Sequence, residues 1–205
     1  MRRLALLGAS GHGKVVADMA VLAGWESVEF FDDAWPQFHQ NGPWPVVGNH
    51  ATLLTRLAQF DGVVVAIGNS SIRWAKQKAL QEAGARMATV IHPAAVVSSH
   101  ALLGEGTVVM ACAVINIDAR VGPASIVNTG ATVDHDCCLA HAVHICPGAH
   151  LSGSVQVGAN SWIGVGATVK QGVVIGEHVT VGAGAVVVNP VNDGVTVVGN
   201  PARPR

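Results

Sequence analysis

Sixteen positions spaced six residues apart, from Val97 to Val187, all carry Val, Leu or Ile. The series runs through Leu103, Val109, Ile115, Val133, Ile145 and Ile163 without a break and fails first at Asp193. The residue two before each is small or β-branched, from Ala95, Ala101, Thr107 and Ala113 to Ala185. The residue after it is often Gly or Asn, as at Gly104, Asn116, Gly122, Asn128, Gly158, Gly164, Gly176 and Gly182. A period of six is neither helical nor that of an ordinary strand; it predicts short strands joined by tight turns. The aliphatic side chain points inward, and Gly or Asn is expected to take positive φ at the corner. Three such faces close a coil of about eighteen residues, and stacked coils pair as parallel strands roughly 4.8 Å apart. Residues 95–190 supply about five coils. A single hexad cannot bury its own aliphatic residue, so the stack folds together.

Composition agrees. The chain has 24 Gly, four Phe, five Trp and no Tyr in 205 residues, which suits repeated turns better than a helical bundle. A formal net charge of −1 offers no basic face to nucleic acid. Only four apolar residues, Leu4 to Leu7, follow the opening arginines, short of the roughly 7–15 of a secretory leader. No stretch reaches the ~18 apolar residues of a membrane span. These features predict a soluble cytoplasmic protein with no membrane insertion. Cys112, Cys137, Cys138 and Cys146 show no CxxC spacing and read as small apolar side chains in a reducing compartment, with no metal site.

The first half alternates strand and helix signals, which predicts a small Rossmann-like parallel sheet. Strands are expected over residues 3–7, over "VEFFDD", which ends in its two acids, and over "GVVVAIGN"; helices are expected over 14–22, over 72–83 and from an Asn49 cap to about 58. "AWPQFHQNGPWPVVG" reads as a connection. The division between domains is placed at 91/92. In "GASGHGK", Gly8-x-Ser10-x-x-Gly13 departs from the dinucleotide fingerprint because Ser10 replaces its second Gly. A glycine-rich turn that opens a helix still presents free N–H groups to phosphate. Asp32 and Asp33, about twenty residues on, are placed to accept from ribose or base.

The hexads and the closing "VVGNPARPR" resemble the hexapeptide-repeat acyltransferases, whose repeats wind a left-handed parallel β-helix. With "GASGHGK", "FFDD", "AIGNS" and "NTGATVDHDC" added, the whole chain resembles the bacterial sugar acetyltransferases that include UDP-4-amino-sugar N-acetyltransferases of the bacillosamine pathway and sialic-acid O-acetyltransferases. The resemblance implies a nucleotide-sugar domain over 1–91 and an acyltransferase helix over 92–205. It also implies a homotrimer with acetyl-CoA along the groove between subunits. Matching motifs assign Gly11, His12, Gly13, Asp32, Asp33 and Gly68 to the UDP-sugar pocket.

Amide formation from a thioester requires an amine to lose a proton, the reactants to be held together and an oxyanion to be stabilised. His135 lies two residues past the inward Val133, so its side chain is expected outside the coil near a corner. The resemblance makes His135 the general base and Asp136 its partner, and leaves Asp134 to the turn. It gives His144 a contact to acetyl-CoA, Gly153 room for the thioester and an oxyanion N–H, and Val165 and Ala183 places along the CoA arm. Lys170 and Arg203 read first as solvated charges that can also reach CoA phosphates. Cys137 occupies an inward small position, so no cysteine nucleophile is expected. The reaction implied is N-acetylation of the 4-amino group of a UDP-linked sugar. The rival readings are sugar O-acetylation, a non-catalytic assembly role, and a zinc hydratase built on His100, His135 and His141.

Overall fold

The computed structural model describes residues 2–205. The chain divides into two compact units, Met1–Pro93 and Ala94–Arg205.

In the first unit, β1 (Arg3–Leu7) carries only apolar residues after Arg3 and is buried along them. Gly8 then turns the chain at φ 110°, and α1 (Gly11–Leu22) begins at once, three residues before the sequence placed it. Gly13 permits this: a Cβ there would stand 2.3 Å from the Gly8 carbonyl oxygen. The next strand, β2 (Ser27–Phe31), ends before Asp32 and Asp33. Both acids therefore lie in the turn beyond it, not on the strand end expected. The connection that follows contains a small hairpin of β3 (Gln40–Asn41) and β4 (Trp44–Pro45), which the sequence did not signal. Next comes α2 (His50–Arg56), where Asn49 Oδ1 accepts the Thr52 N–H as the expected cap. Then β5 (Gly62–Val65) and α3 (Ser70–Glu82), capped by Asn69, follow. The sheet order is β2-β1-β5, all parallel.

The second unit is a parallel β-helix built on the hexads. Thr132 pairs with His150 and Val133 with Leu151, eighteen residues on. One face stacks six strands, from Val96–Val97 to Val186–Val187, one level more than the five coils expected. Val109, Val133, Ile145, Leu151 and Ile163 meet in one core with Ala113, Ala131, Cys137 and Ala149, each large side chain contributing about 1.5–3 kcal/mol through burial. Thr107, Ser125 and Ser161 are fully buried at small inward positions. Their hydroxyls donate to the Gly122, Ala140 and Gly176 carbonyls of the next coil, so their burial leaves no donor unmet.

The glycines directly after the inward residues do a different job from the one expected. They do not take positive φ; the left-handed corners lie two residues further on, at Cys112, Asp118, Ala124, Gly130, Asp136, Ala142 and Gly148. Gly104, Gly122 and Gly158 are glycine because coils stack closely: a Cβ would lie 2.4 Å from Pro123 N, 2.6 Å from the Ala140 carbonyl carbon and 2.4 Å from the Gly176 carbonyl carbon. At the C-terminal end the repeat shortens. Thr180 pairs with Thr196, sixteen residues away, and Asp193 turns its carboxylate onto the Glu177 N–H at 2.8 Å.

Candidate active site

The segment Asp134–Cys137 turns the chain between two faces of the β-helix. Asp134 Oδ1 accepts the His135 N–H and the Asn116 Nδ2–H, both at 2.8 Å. Those bonds, the backbone one foremost, hold its carboxyl below the usual range. Asp134 thus serves the turn. Asp136 occupies the left-handed corner at φ 59°, a conformation Asp tolerates better than most residues. From there its Oδ2 accepts the His135 Nδ1–H at 2.8 Å. That bond, with the nearby negative charges of Asp134 and Asp136, raises the imidazole pKa above its ordinary value. Both side chains are more than half exposed. With the proton on Nδ1, Nε2 carries the lone pair a base needs.

Gly153 lies one coil along. A Cβ there would meet His135 Cε1 and Nε2 at 2.5 Å. The space expected for a thioester is therefore filled by the imidazole ring. Cys137 points inward as its register demands, fully buried, with Sγ donating to the Ser152 carbonyl at 3.2 Å. Burial raises its thiol pKa, opposite to what a nucleophile requires.

His144 stands on another face and is 5% exposed. Asn128 Oδ1 accepts the Thr129 N–H at 2.8 Å, which turns Nδ2 toward His144 Nε2, 3.1 Å away. The Trp162 ring lies 4.1 Å from the imidazole, centroid to centroid. Val165 and Ala183 are exposed at the corner that precedes the His135 face. A single chain therefore does not bring them, or His144, together with His135. Among the described residues no group of three or more His, Cys, Asp or Glu side chains is placed to hold a metal ion.

In the first unit, Leu7, Gly8, Ser10, Asp32, Asp33, Ile67, Ile72 and Lys76 line a cleft of about 310 Å³. Both acids are spoken for. Asp32 accepts the Ala9 N–H at 2.8 Å and the Ala34 N–H at 2.9 Å, which fixes the Gly8 turn. Asp33 accepts the His50 N–H and the Lys76 ammonium, both at 3.1 Å. These bonds, the backbone one first, keep its carboxyl below the ordinary range. Gly11 is open, with nothing within 4 Å of a Cβ. Burial, then the charge of Arg73, pushes the His12 imidazole down to about 4.

Arg73 is the residue the sequence reading missed here. It is 1% exposed, and its Nη1 donates to the Ile67 and Gly68 carbonyls at 2.8 and 2.7 Å. It thereby fixes the "AIGNS" turn through its backbone. Its burial beside Ser70, Gln77 and Leu80 follows a helical stripe, and a polar stripe at that spacing was the available signal.

Comparisons with known proteins agree with both halves. The PglD N-terminal domain family matches residues 3–80, and the bacterial transferase hexapeptide (six repeats) family matches residues 154–189. UDP-N-acetylbacillosamine N-acetyltransferase of Bacillus subtilis (strain 168) is 38% identical over 109 residues. That match takes in 52% of this chain and 50% of the relative, so it spans about half the length of that protein. The acetyltransferase domain of PglB from Neisseria gonorrhoeae FA1090, solved in complex with acetyl coenzyme A, is 45% identical. It superimposes with a TM-score of 0.95 over 100% of this chain and 99% of its own. PerB from Caulobacter crescentus, in complex with CoA and GDP-perosamine, is 38% identical with a TM-score of 0.95 over 100% of this chain and 98% of its own. With solved acetyltransferases matched along its entire length and both of its units recognised, the chain belongs to the hexapeptide-repeat sugar acetyltransferases that carry a PglD-type N-terminal domain.

Proposed function

We propose that this protein transfers an acetyl group from acetyl-CoA to the 4-amino group of a UDP-linked amino-deoxy sugar. The observation that carries the reading is the His135–Asp136 pair, 2.8 Å apart on an exposed corner in a chain of this family. In the reaction, the sugar ammonium first releases one proton to solvent, and His135 Nε2 takes a second from the free amine as it attacks the thioester carbonyl. The N–C bond forms, the tetrahedral oxyanion collapses, and the C–S bond breaks. The proton then passes from the imidazole to the departing CoA sulfur. Asp136 keeps the tautomer and steadies the imidazolium. The Gly153 N–H is the oxyanion donor of this scheme. Attack is direct: enzyme incubated with acetyl-CoA alone gains no covalent acetyl group.

The His144, Val165 and Ala183 positions belong to the acetyl-CoA arm. Because they stand on a different face and corner from His135, a second copy of the chain supplies them. The working form in this reading is a homotrimer with its sites at subunit interfaces. Gly11, His12, Gly13, Asp32, Asp33 and Gly68 hold the nucleotide in this reading, with Lys76, which lines one cleft with Asp32 and Asp33. A cytoplasmic location is part of this reading; among the described residues no helix is long and apolar enough to cross a membrane.

A GDP-linked 4-amino sugar is the second reading, favoured by the full-length likeness to PerB, solved with GDP-perosamine. A thermal-shift panel of UDP-, GDP-, CMP- and dTDP-sugars beside acetyl-CoA decides between them. The true nucleotide stabilises by RT ln(1 + [L]/Kd), about 2.7 kcal/mol at 100 times Kd. The expected result is a shift with the UDP sugar and with acetyl-CoA; a shift with the GDP sugar alone transfers the assignment to the second reading.

A further inference from the structure

Two histidines occupy the same register of the β-helix. His135 and His141 each lie two residues past an inward aliphatic side chain, Val133 and Leu139. Eighteen residues on, the position stacked against His135 is Gly153 and the one stacked against His141 is Ala159. Ala159 has the Cβ that Gly153 lacks. At Gly153 the place of that Cβ is filled by the His135 ring, with Cε1 and Nε2 at 2.5 Å and Nδ1 at 3.1 Å. The backbone does not demand glycine, because Gly153 is not in the left-handed region.

The coils on either side also grip the His135 main chain. Its N–H donates to Asp134 Oδ1, which the preceding coil's Asn116 Nδ2 holds at 2.8 Å. Its carbonyl accepts the Ser154 N–H of the following coil at 2.9 Å. Asn116 thus orients the residue from below, while Gly153 leaves the floor on which the ring lies.

We infer that Gly153 and Asn116 are positioning residues for the His135 base: the missing side chain of Gly153 lets the imidazole lie flat along the next coil with Nδ1 on Asp136, and Asn116 locks the backbone that carries it. The inference rests on the proposed role of His135 but is separable from it. A β-carbon at 153 pushes the ring off its seat, and the first bond strained is Nδ1–H to Asp136 Oδ2. The charged groups that act on the ring are Asp136 and Asp134. The following coil brings Ser152, Gly153 and Ser154, none of which titrates, and the preceding coil adds Asp118 at its own corner.

The test is Gly153→Ala, which keeps the oxyanion N–H and alters only the floor. Displacement of the base by about 1 Å lowers kcat roughly 10²-fold, with the KM for acetyl-CoA unchanged. In the ligand-free protein, NMR titration places the His135 pKa below the wild-type value, because the Asp136 bond that raised it is broken. Asn116→Ala shifts the titration in the same direction with a smaller loss of kcat, and serves if Gly153→Ala does not fold. Wild-type kcat and an unmoved His135 titration in a folded variant overturn the inference. Full activity in His135→Ala would instead overturn the catalytic reading, while the titration arm still reports on the floor.

Discussion

His12 and His135 are treated in opposite ways by the two units that hold them. In the α/β unit, His12 sits at the start of a helix beside the buried Arg73, and burial drives its pKa down to about 4. On the β-helix, His135 lies in the open with two carboxylates for company, and its pKa rises. The first environment makes an imidazole that is neutral over the physiological range. The second makes a stronger base. The units differ in how they achieve this. The sheet unit uses burial of the ring by tertiary packing, with the nearby Arg73 cation adding to it. The helix uses neighbouring letters of one turn, in a scaffold whose other turns are nearly alike.

The largest expected effect on this contrast is from His135→Ala. It removes the base and lowers kcat/KM by roughly 10²–10⁴-fold, while calorimetry finds acetyl-CoA binding intact. Asp136→Asn comes next. It keeps the shape of the corner but removes the charge, so the His135 pKa falls; the acidic limb of the pH–rate profile moves to lower pH and the maximum rate drops roughly tenfold. A limb that stays in place means Asp136 does not set the basicity of the site. The smallest effect is on stability through His12. Between its unfolded value of about 6.5 and its folded value of about 4, the unfolded chain binds the extra proton. Stability therefore falls as pH drops through that window, by at most about 2 kcal/mol at pH 5. His12→Gln flattens the dependence of Tm on pH over this range; an unchanged slope would place the lost stability elsewhere.

Legibility in the sequence followed the same division. The helix was readable because each inward residue is fixed by its spacing, and Val97 to Val187 obey one rule. That rule also put His135 outside and Cys137 inside. What it missed was the function of the glycines. Gly104 and Gly158 look like corner residues in a string of letters, yet they mark contacts between coils eighteen residues apart, and the positive-φ corners fall on Asp136, Ala124 or Cys112 as readily as on glycine. Spacing alone does not show which residue will lie over which. In the sheet unit, Asp32 and Asp33 were located but their partners were not. Ala9 N–H, His50 N–H and Lys76 arrive from three different segments. Arg73 was signalled only by the polar stripe of Ser70, Arg73 and Gln77, which reads as a solvent-facing one until the Ile67 and Gly68 carbonyls are seen to accept from the guanidinium.

The stacking of coils at a constant eighteen-residue offset has one more consequence. The helix has something like a reading frame. A six-residue insertion between Asp136 and Pro147 would leave every hexad aliphatic and the core filled, but would bring Pro147 over His135 in place of Gly153. Length variation in such a scaffold is therefore silent above or below the His135 turn when it comes in whole coils, and ruinous within it even when every inserted letter obeys the repeat.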